Sequence, residues 1–232
     1  MRSSPICLWL ILVLLIASPA IQRNCDAQLA DRFTIASDSQ PRAVIVVARK
    51  PTNPLVIKYA AAELQRIIHK ATGARLPIVE EQDAGRSPDR ETAEILVGPC
   101  RETERAGVGV AQLPANAFRI KTDGKRLFLN GKDGGTDVPR NDHVDMGTLF
   151  AVYEFLERQV GVRWLWPGDL GEYVPAHNRV VSGNWDLTHV PQLKQRQWRF
   201  EASIHYGRQG WSSPNRVYDY KVDVYKWSRR HR

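Results

Sequence analysis

Residues 147–167 read GTLFAVYEFLERQVGVRWLWP, and the fold follows from how that stretch divides. Leu149, Val152, Tyr153, Leu156 and Val160 recur at the three-and-four spacing of one helical face, with Glu154, Glu157 and Arg158 on the other, which predicts an amphipathic helix lying on a core. Gly161 follows the last apolar position, where a left-handed residue ends a helix without a Cβ clash. From Val162 through Arg163, Trp164 and Leu165 to Trp166 the chain alternates, so a buried strand is expected to leave the helix directly, until Pro167-Gly168 turns it.

Upstream, the same kind of reading supplies the layers on which that helix packs. Arg32–Ala36 and Ala43–Ala48 are short β-branched runs joined by a turn-rich link. Asn53-Pro54 offers a capping side chain followed by proline at the first helical position, and Val56, Tyr59, Ala60, Leu64, Ile67, Ile68 and Ala71 keep helical spacing as far as Gly73. Strands are expected at Leu76–Val79 and Glu94–Gly98, with a polar loop over Glu80–Arg90 and a helical turn over Arg101–Ala106. Phe118–Lys121 and Arg126–Leu129 flank Thr122-Asp123-Gly124-Lys125, a strong hairpin signal. A short strand at Val180-Val181 precedes closure near Leu187. Two helices with one apolar stripe each cannot cover both faces of a five- or six-stranded sheet. The fold class is therefore an α/β arrangement of the α+β two-layer kind, a mixed sheet with two long helices on one face.

Composition sets the outer bounds. The chain has 232 residues, 43% apolar and 25% charged, which is a globular composition with a core rather than a disordered one. The net charge is +8, and Lys194–Arg232 carries +7 of it, with ten Lys/Arg against Glu201, Asp219 and Asp223. The globular middle is close to neutral, so overall basicity is no argument for a nucleic-acid partner. Arg2, the apolar run Ile6–Ala17 and the small residues after it have the order of a secretory signal peptide, too short for a comfortable membrane span. Cleavage after Ala27, or after Ala20, would leave a secreted or periplasmic protein with no stable membrane insertion. Of the three cysteines Cys7 and Cys25 would leave with that segment, and Cys100 alone excludes a disulfide framework.

The segments Tyr59–Ile78 (YAAAELQRIIHKATGARLPI), Glu94–Pro99 (EILVGP), Ala117–Gly135 (AFRIKTDGKRLFLNGKDGG) and Gly147–Pro175 (GTLFAVYEFLERQVGVRWLWPGDLGEYVP), taken in that order, resemble the N-terminal domain shared by α-glucuronidases, β-N-acetylhexosaminidases and related uncharacterised bacterial glycoside hydrolases. GTLFAVYEFLE and GVRWLWPG are its most specific parts. The resemblance implies a non-catalytic layer packed before a (β/α)8 barrel that carries the catalytic carboxylates. With the export signal already read at 1–27, it divides the rest into the accessory domain at 28–187 and an incomplete start of the barrel at 188–232. It also implies that Arg196, Trp198 and Arg199, in PQLKQRQWR at the entry to the first barrel strand, face the sugar. Such a barrel takes about 250 residues and about 40 remain after Pro191, so the chain alone is expected to be inactive, its carbohydrate partner being met through the missing barrel.

Within the chain itself the chemistry is sparse. A glycosidase needs two carboxyl groups flanking the scissile bond, and Glu80-Glu81 on a polar loop and Glu154 with Glu157 on a solvated helix face do not mark such a pair. Asp133, Asp137, Asp142, His143 and Asp145 gather oxygen ligands without a calcium-loop spacing, and no metal or cofactor is expected. Gly131, Gly134 and Gly135 follow a hairpin and read as a turn rather than a phosphate cradle. Trp164 and Trp166, two apart, share one face of a strand, suiting either the core or a sugar platform, with Val162 on the same face favouring the core. The second function class is accordingly a stand-alone extracytoplasmic glycan-binding module, which requires Trp164, Trp166 and Trp198 to be exposed together. A third, a secreted nucleic-acid binder using Arg196, Trp198, Arg199, Arg208, Trp211 and Arg216, is opposed by the export signal.

Overall fold

A computed structural model describes residues 33–81, 93–134, 145–192, 226–228 and 230–231. The expected signal peptide, most of the polar loop after Glu80, the centre of the loop before Gly147 and the expected barrel entry lie outside the described residues.

The strands and helices in chain order are β1 (Thr34–Ser37), β2 (Gln40–Pro41), β3 (Ala43–Val47), α1 (Pro54–Thr72), β4 (Ile78–Glu80), β5 (Ala93–Val97), α2 (Arg101–Arg105), β6 (Phe118–Asp123), β7 (Arg126–Gly131), α3 (Gly147–Phe155), β8 (Arg163–Trp164), β9 (Glu172–Tyr173), β10 (Arg179–Val181) and β11 (Asp186–His189). Six strands form a mixed sheet in the order β11-β6-β7-β5-β3-β4, parallel from β7 through β5 and β3 to β4 and antiparallel where β11, β6 and β7 meet. A three-stranded antiparallel sheet, β10-β1-β2, and the ribbon β8-β9 complete it. The architecture is the α+β two-layer fold with a mixed sheet, and α1 and α3 pack on the same face.

Alternation along each strand decides which layer a side chain joins. Ala43 and Ile45, Ile95 and Val97, Phe118 and Ile120, and Leu127 and Leu129 face α1 and α3 in the main core. Val46, Leu96 and Phe128 point the other way, where Val108 and the half-buried Cys100 and Ala106 cover them. That second face is closed by α2 and the chain after it.

The sequence signals set the ends of α1. Asn53 Oδ1 accepts from Val56 N at 3.2 Å, and Gly73 closes the helix in the left-handed region at φ 76°. At α3 the structure departs from the expected amphipathic helix. All nine residues of α3 are buried, Glu154 included, because α1 lies on one side of it and β6 and β7 on the other. Its polar face is thin, and Glu154 is buried beside its ion-pair partner Arg158. The helix then widens into a turn over Leu156–Val160 that ends at Gly161, φ 81°, with Gly161 N donating to Leu156 O. The strand expected over Val162–Trp166 shortens to Arg163–Trp164. Leu165 N still donates to Gly171 O at 2.8 Å, but Gly168 at φ 86° takes the chain into a turn over Asp169–Gly171, and the alternation stops at Trp164.

Candidate functional site

The densest polar constellation among the described residues surrounds the indole of Trp164. Tyr59, Glu63, Arg66 and Lys70 stand four, three and four residues apart on α1, so one helical stripe presents all of them at its edge. The ribbon β8-β9 supplies the opposite wall, because pairing Trp164 with Glu172 puts both side chains on one face. Glu172 receives a two-pronged fork from Arg66, with Nη1 and Nη2 each 2.7 Å from one carboxylate oxygen. Lys70 Nζ at 3.1 Å and Trp164 Nε1 at 3.2 Å donate to it as well. The Glu172 side chain is only 4% exposed. Burial pushes its pKa up, but the Arg66, Lys70 and Trp164 donors outweigh that and hold it at about 2.

The other side of this socket is filled from the far end of the chain. Arg230 is buried, its Nη2 lying 3.3 Å from Glu63 Oε2 and 3.5 Å from Glu172 Oε2. Its guanidinium carbon sits 5.3 Å from the centroid of the Trp164 ring, within cation–π range. Burial works against that charge, and Tyr153, Glu63 and Glu172 outweigh it, raising the pKa of Arg230. Tyr153 meets the Trp164 ring edge-on at 5.1 Å, and burial pushes its phenol well above the usual value. The Trp164 carbonyl accepts from Trp227 Nε1 at 3.0 Å and pairs with His231 Nε2 at 2.7 Å. Trp227, Arg230 and His231 thus close over the residue that β8 buries.

The two carboxylates of this arrangement are committed to cationic partners. A general acid for glycoside cleavage needs a carboxyl whose pKa is raised so that it is protonated at working pH. Glu172 is held far below that range, and Glu63 is ion-paired to both Arg66 and Arg230. Glu81, Cys100 and Asp133 have structural partners, and Asp137, Asp142 and His143 lie outside the described residues. Glu81 accepts the backbone N–H of Glu102 at 3.3 Å, at the start of α2. Cys100 precedes that helix, and burial raises its thiol pKa, which lowers the fraction present as the reactive thiolate at neutral pH. Asp133 accepts from Thr148 N at 2.9 Å and Thr148 Oγ1 at 2.7 Å, tying β7 to the first turn of α3. Burial raises its pKa to about 6, with Asp145 adding to the shift and Thr148 opposing it. No group of three or more His, Cys, Asp or Glu able to hold a metal occurs among the described residues.

The tryptophans expected at the site separate. Trp164 is 2% exposed and belongs to the core, whereas Trp166 is 53% exposed beyond the turn. They do not form a platform. Arg196, Trp198 and Arg199 lie outside the described residues. The sequence reading missed Glu63, Arg66, Glu172 and Arg230. Glu63 and Arg66 have the three-apart spacing of any helix-surface pair, and no local pattern links them to residues more than a hundred positions away.

No protein-family model matches the chain, and no curated protein matches it. Among solved structures it is similar to the Streptomyces plicatus N-acetyl-β-hexosaminidase, at 11% identity and a TM-score of 0.38, covering 69% of this chain and 23% of that one. It is also similar to a family GH115 4-O-methyl-α-glucuronidase with specificity for decorated arabinogalactans, at 17% identity and a TM-score of 0.37, covering 64% of this chain and 18% of that one. The chain spans less than a quarter of the length of either. No helix of the described residues is long and apolar enough to cross a membrane.

Proposed function

We propose that this chain is the non-catalytic N-terminal domain of an exported glycoside hydrolase acting in polysaccharide degradation, and that its task is to grip the polypeptide that follows it. The observation that carries this reading is the seating of Trp227, Arg230 and His231 on Trp164. Trp164 lies in the segment most specific for the resemblance stated above, so the stretch that resembles the family is also the one that receives the downstream chain. The glycosidic bond to be cleaved would be met by the barrel rather than by this layer, and export rests on the apolar run Ile6–Ala17. The glycan-binding alternative loses its support from Trp164, whose ring is buried and whose N–H is committed to Glu172.

Two experiments test the reading. The purified chain, incubated with aryl glycosides of glucuronic acid and N-acetylhexosamines, is expected to release no phenol above buffer. Hydrolysis proportional to its concentration would overturn the non-catalytic part. Reading the coding DNA onward from the Arg232 codon is expected to reveal an open frame with paired Asp/Glu at successive strand ends; an immediate stop would contradict the barrel.

A further inference from the structure

A second feature lies away from the Trp164 socket, at the seam between the two sheets. A cleft of about 480 Å³ is lined by Phe33, Thr34, Ser37, Asp38, Arg42, Ala93, Lys125 and Arg179, a size that suits a ligand of one or two rings. Its three cations come from separate places in the chain: the β2–β3 link, the β6–β7 turn and the start of β10. Both arginines are braced by hydroxyl groups of β1. Arg179 donates through Nε at 3.2 Å and Nη2 at 2.8 Å to Thr34 Oγ1, and Arg42 Nε donates to Ser37 Oγ at 3.2 Å.

That bracing differs from the ion pairing of five other arginines, although Arg119 and Arg163 likewise donate to neutral oxygens. Arg66, Arg105, Arg126, Arg158 and Arg230 each sit against a carboxylate. Arg42 and Arg179 have no carboxylate within salt-bridge distance among the described residues, although Asp38 lines the same cleft. The backbone is arranged to hold this geometry. Asp38 and Ser39 both occupy the left-handed region, at φ 52° and 58°, which costs a side-chain-bearing residue energy but folds β2 tightly onto β1. Asp38 N donates to Asn178 O at 2.9 Å, so the strained turn is stitched to the residue preceding Arg179. Two exposed guanidinium groups therefore line one cleft, each with N–H donors beyond those that the β1 hydroxyls accept.

We propose that this cleft binds an acidic sugar residue, one carrying a carboxylate or a sulfate group. The anion takes the free donors of Arg42 and Arg179, in the charge-assisted geometry that guanidinium groups favour. Asp38 accepts from ring hydroxyls, and the Thr34 and Ser37 hydroxyls, already accepting from arginine, retain their own O–H to donate. Phe33 gives an apolar wall. A cleft for bare phosphate would have no use for Asp38. The assignment of a sugar rests on the glycoside-hydrolase reading above; the assignment of an anion does not.

Calorimetric titration of the 232-residue chain with digalacturonic acid, monosulfated lactose, lactose and sodium sulfate tests it. At least one of the two acidic disaccharides is expected to bind saturably, more weakly as sodium chloride is raised, and the one that binds identifies the anion. Combined Arg42→Ala and Arg179→Ala substitution should lower that affinity by about tenfold or more while the melting temperature stays put, both residues being exposed. Arg158→Ala, outside the cleft, should bind as the parent does. Absence of binding by both acidic disaccharides, equal binding of lactose, or an undiminished double variant would overturn the proposal. Sodium sulfate binding as tightly as the sulfated sugar would overturn the sugar part. None of these results bears on whether the reading frame continues into a barrel.

Discussion

Two buried carboxyls, Glu172 and Asp133, give the molecule opposite pH responses. Glu172 has a folded-state pKa of about 2, below its unfolded value near 4.5, so its contribution is present above pH 4.5 and is lost as pH falls towards 2. Taken whole the shift corresponds to about 3 kcal/mol, an upper bound because Arg66 and Lys70, which supply much of it, are half-exposed and screened by solvent. Asp133 titrates near 6 in the folded state against 3.8 unfolded, so the native state holds the extra proton and stability falls as pH rises between these values. Urea midpoints measured across this range should therefore rise from pH 2 to about 4.5 and decline towards pH 6. Glu172→Gln should abolish the first limb and cost up to about 3 kcal/mol at pH 7, since it removes the carboxylate shared by Arg66 and Lys70 and weakens the hold on Arg230, while Arg66 keeps its pair with Glu63. Asp133→Asn should abolish the second limb. Its carbonyl can still accept from Thr148 N, so at pH 7 it is expected to be as stable as the parent or more so.

At the scale of the element, the junction of β7 with α3 is the least forgiving place in the fold. A Cβ at Gly131 would fall inside the contact radius of the Gly147 carbonyl carbon and the Thr148 nitrogen, both backbone atoms with nowhere to go. Gly131→Ala is expected to cost about 3 kcal/mol or more, or to prevent folding. Gly124, in the β6–β7 turn, has nothing within 4 Å of the corresponding point and a φ of 56°, so Gly124→Ala should cost only about 1 kcal/mol for the strained conformation. Comparing their urea midpoints separates contact from conformation.

These elements also show what sequence alone carries. The ends of α1 were legible because Asn53, Pro54 and Gly73 act within a turn of the positions they control. The β6–β7 hairpin was legible for the same reason. The burial of Glu154 was not, because it depends on α1 covering a helix that reads as having a wet side. Nor was the parting of Trp164 from Trp166, which depends on a turn that begins within the run expected to be a strand. The socket was least legible, being assembled from residues 63, 66, 164, 172 and 230, which only the tertiary fold brings together.

At the scale of the whole molecule, Trp227, Arg230 and His231 are held by the first helix and the β8-β9 ribbon. A domain that merely adjoins its successor would have no need to bury two carboxylates and the Arg230 guanidinium between them, at a desolvation cost that only close pairing offsets. Exposed Leu165, Trp166, Leu170 and Tyr173 flank the same ribbon. The direct test is a double-mutant cycle in the full chain, with Glu63→Gln and Arg230→Met made singly and together and stability read from urea unfolding. Contact at 3.3 Å in a buried site predicts a coupling of about 1 to 3 kcal/mol between the two positions. Additive effects, with a coupling below about 0.5 kcal/mol, would mean that Arg230 does not sit in the socket and would contradict the gripping role.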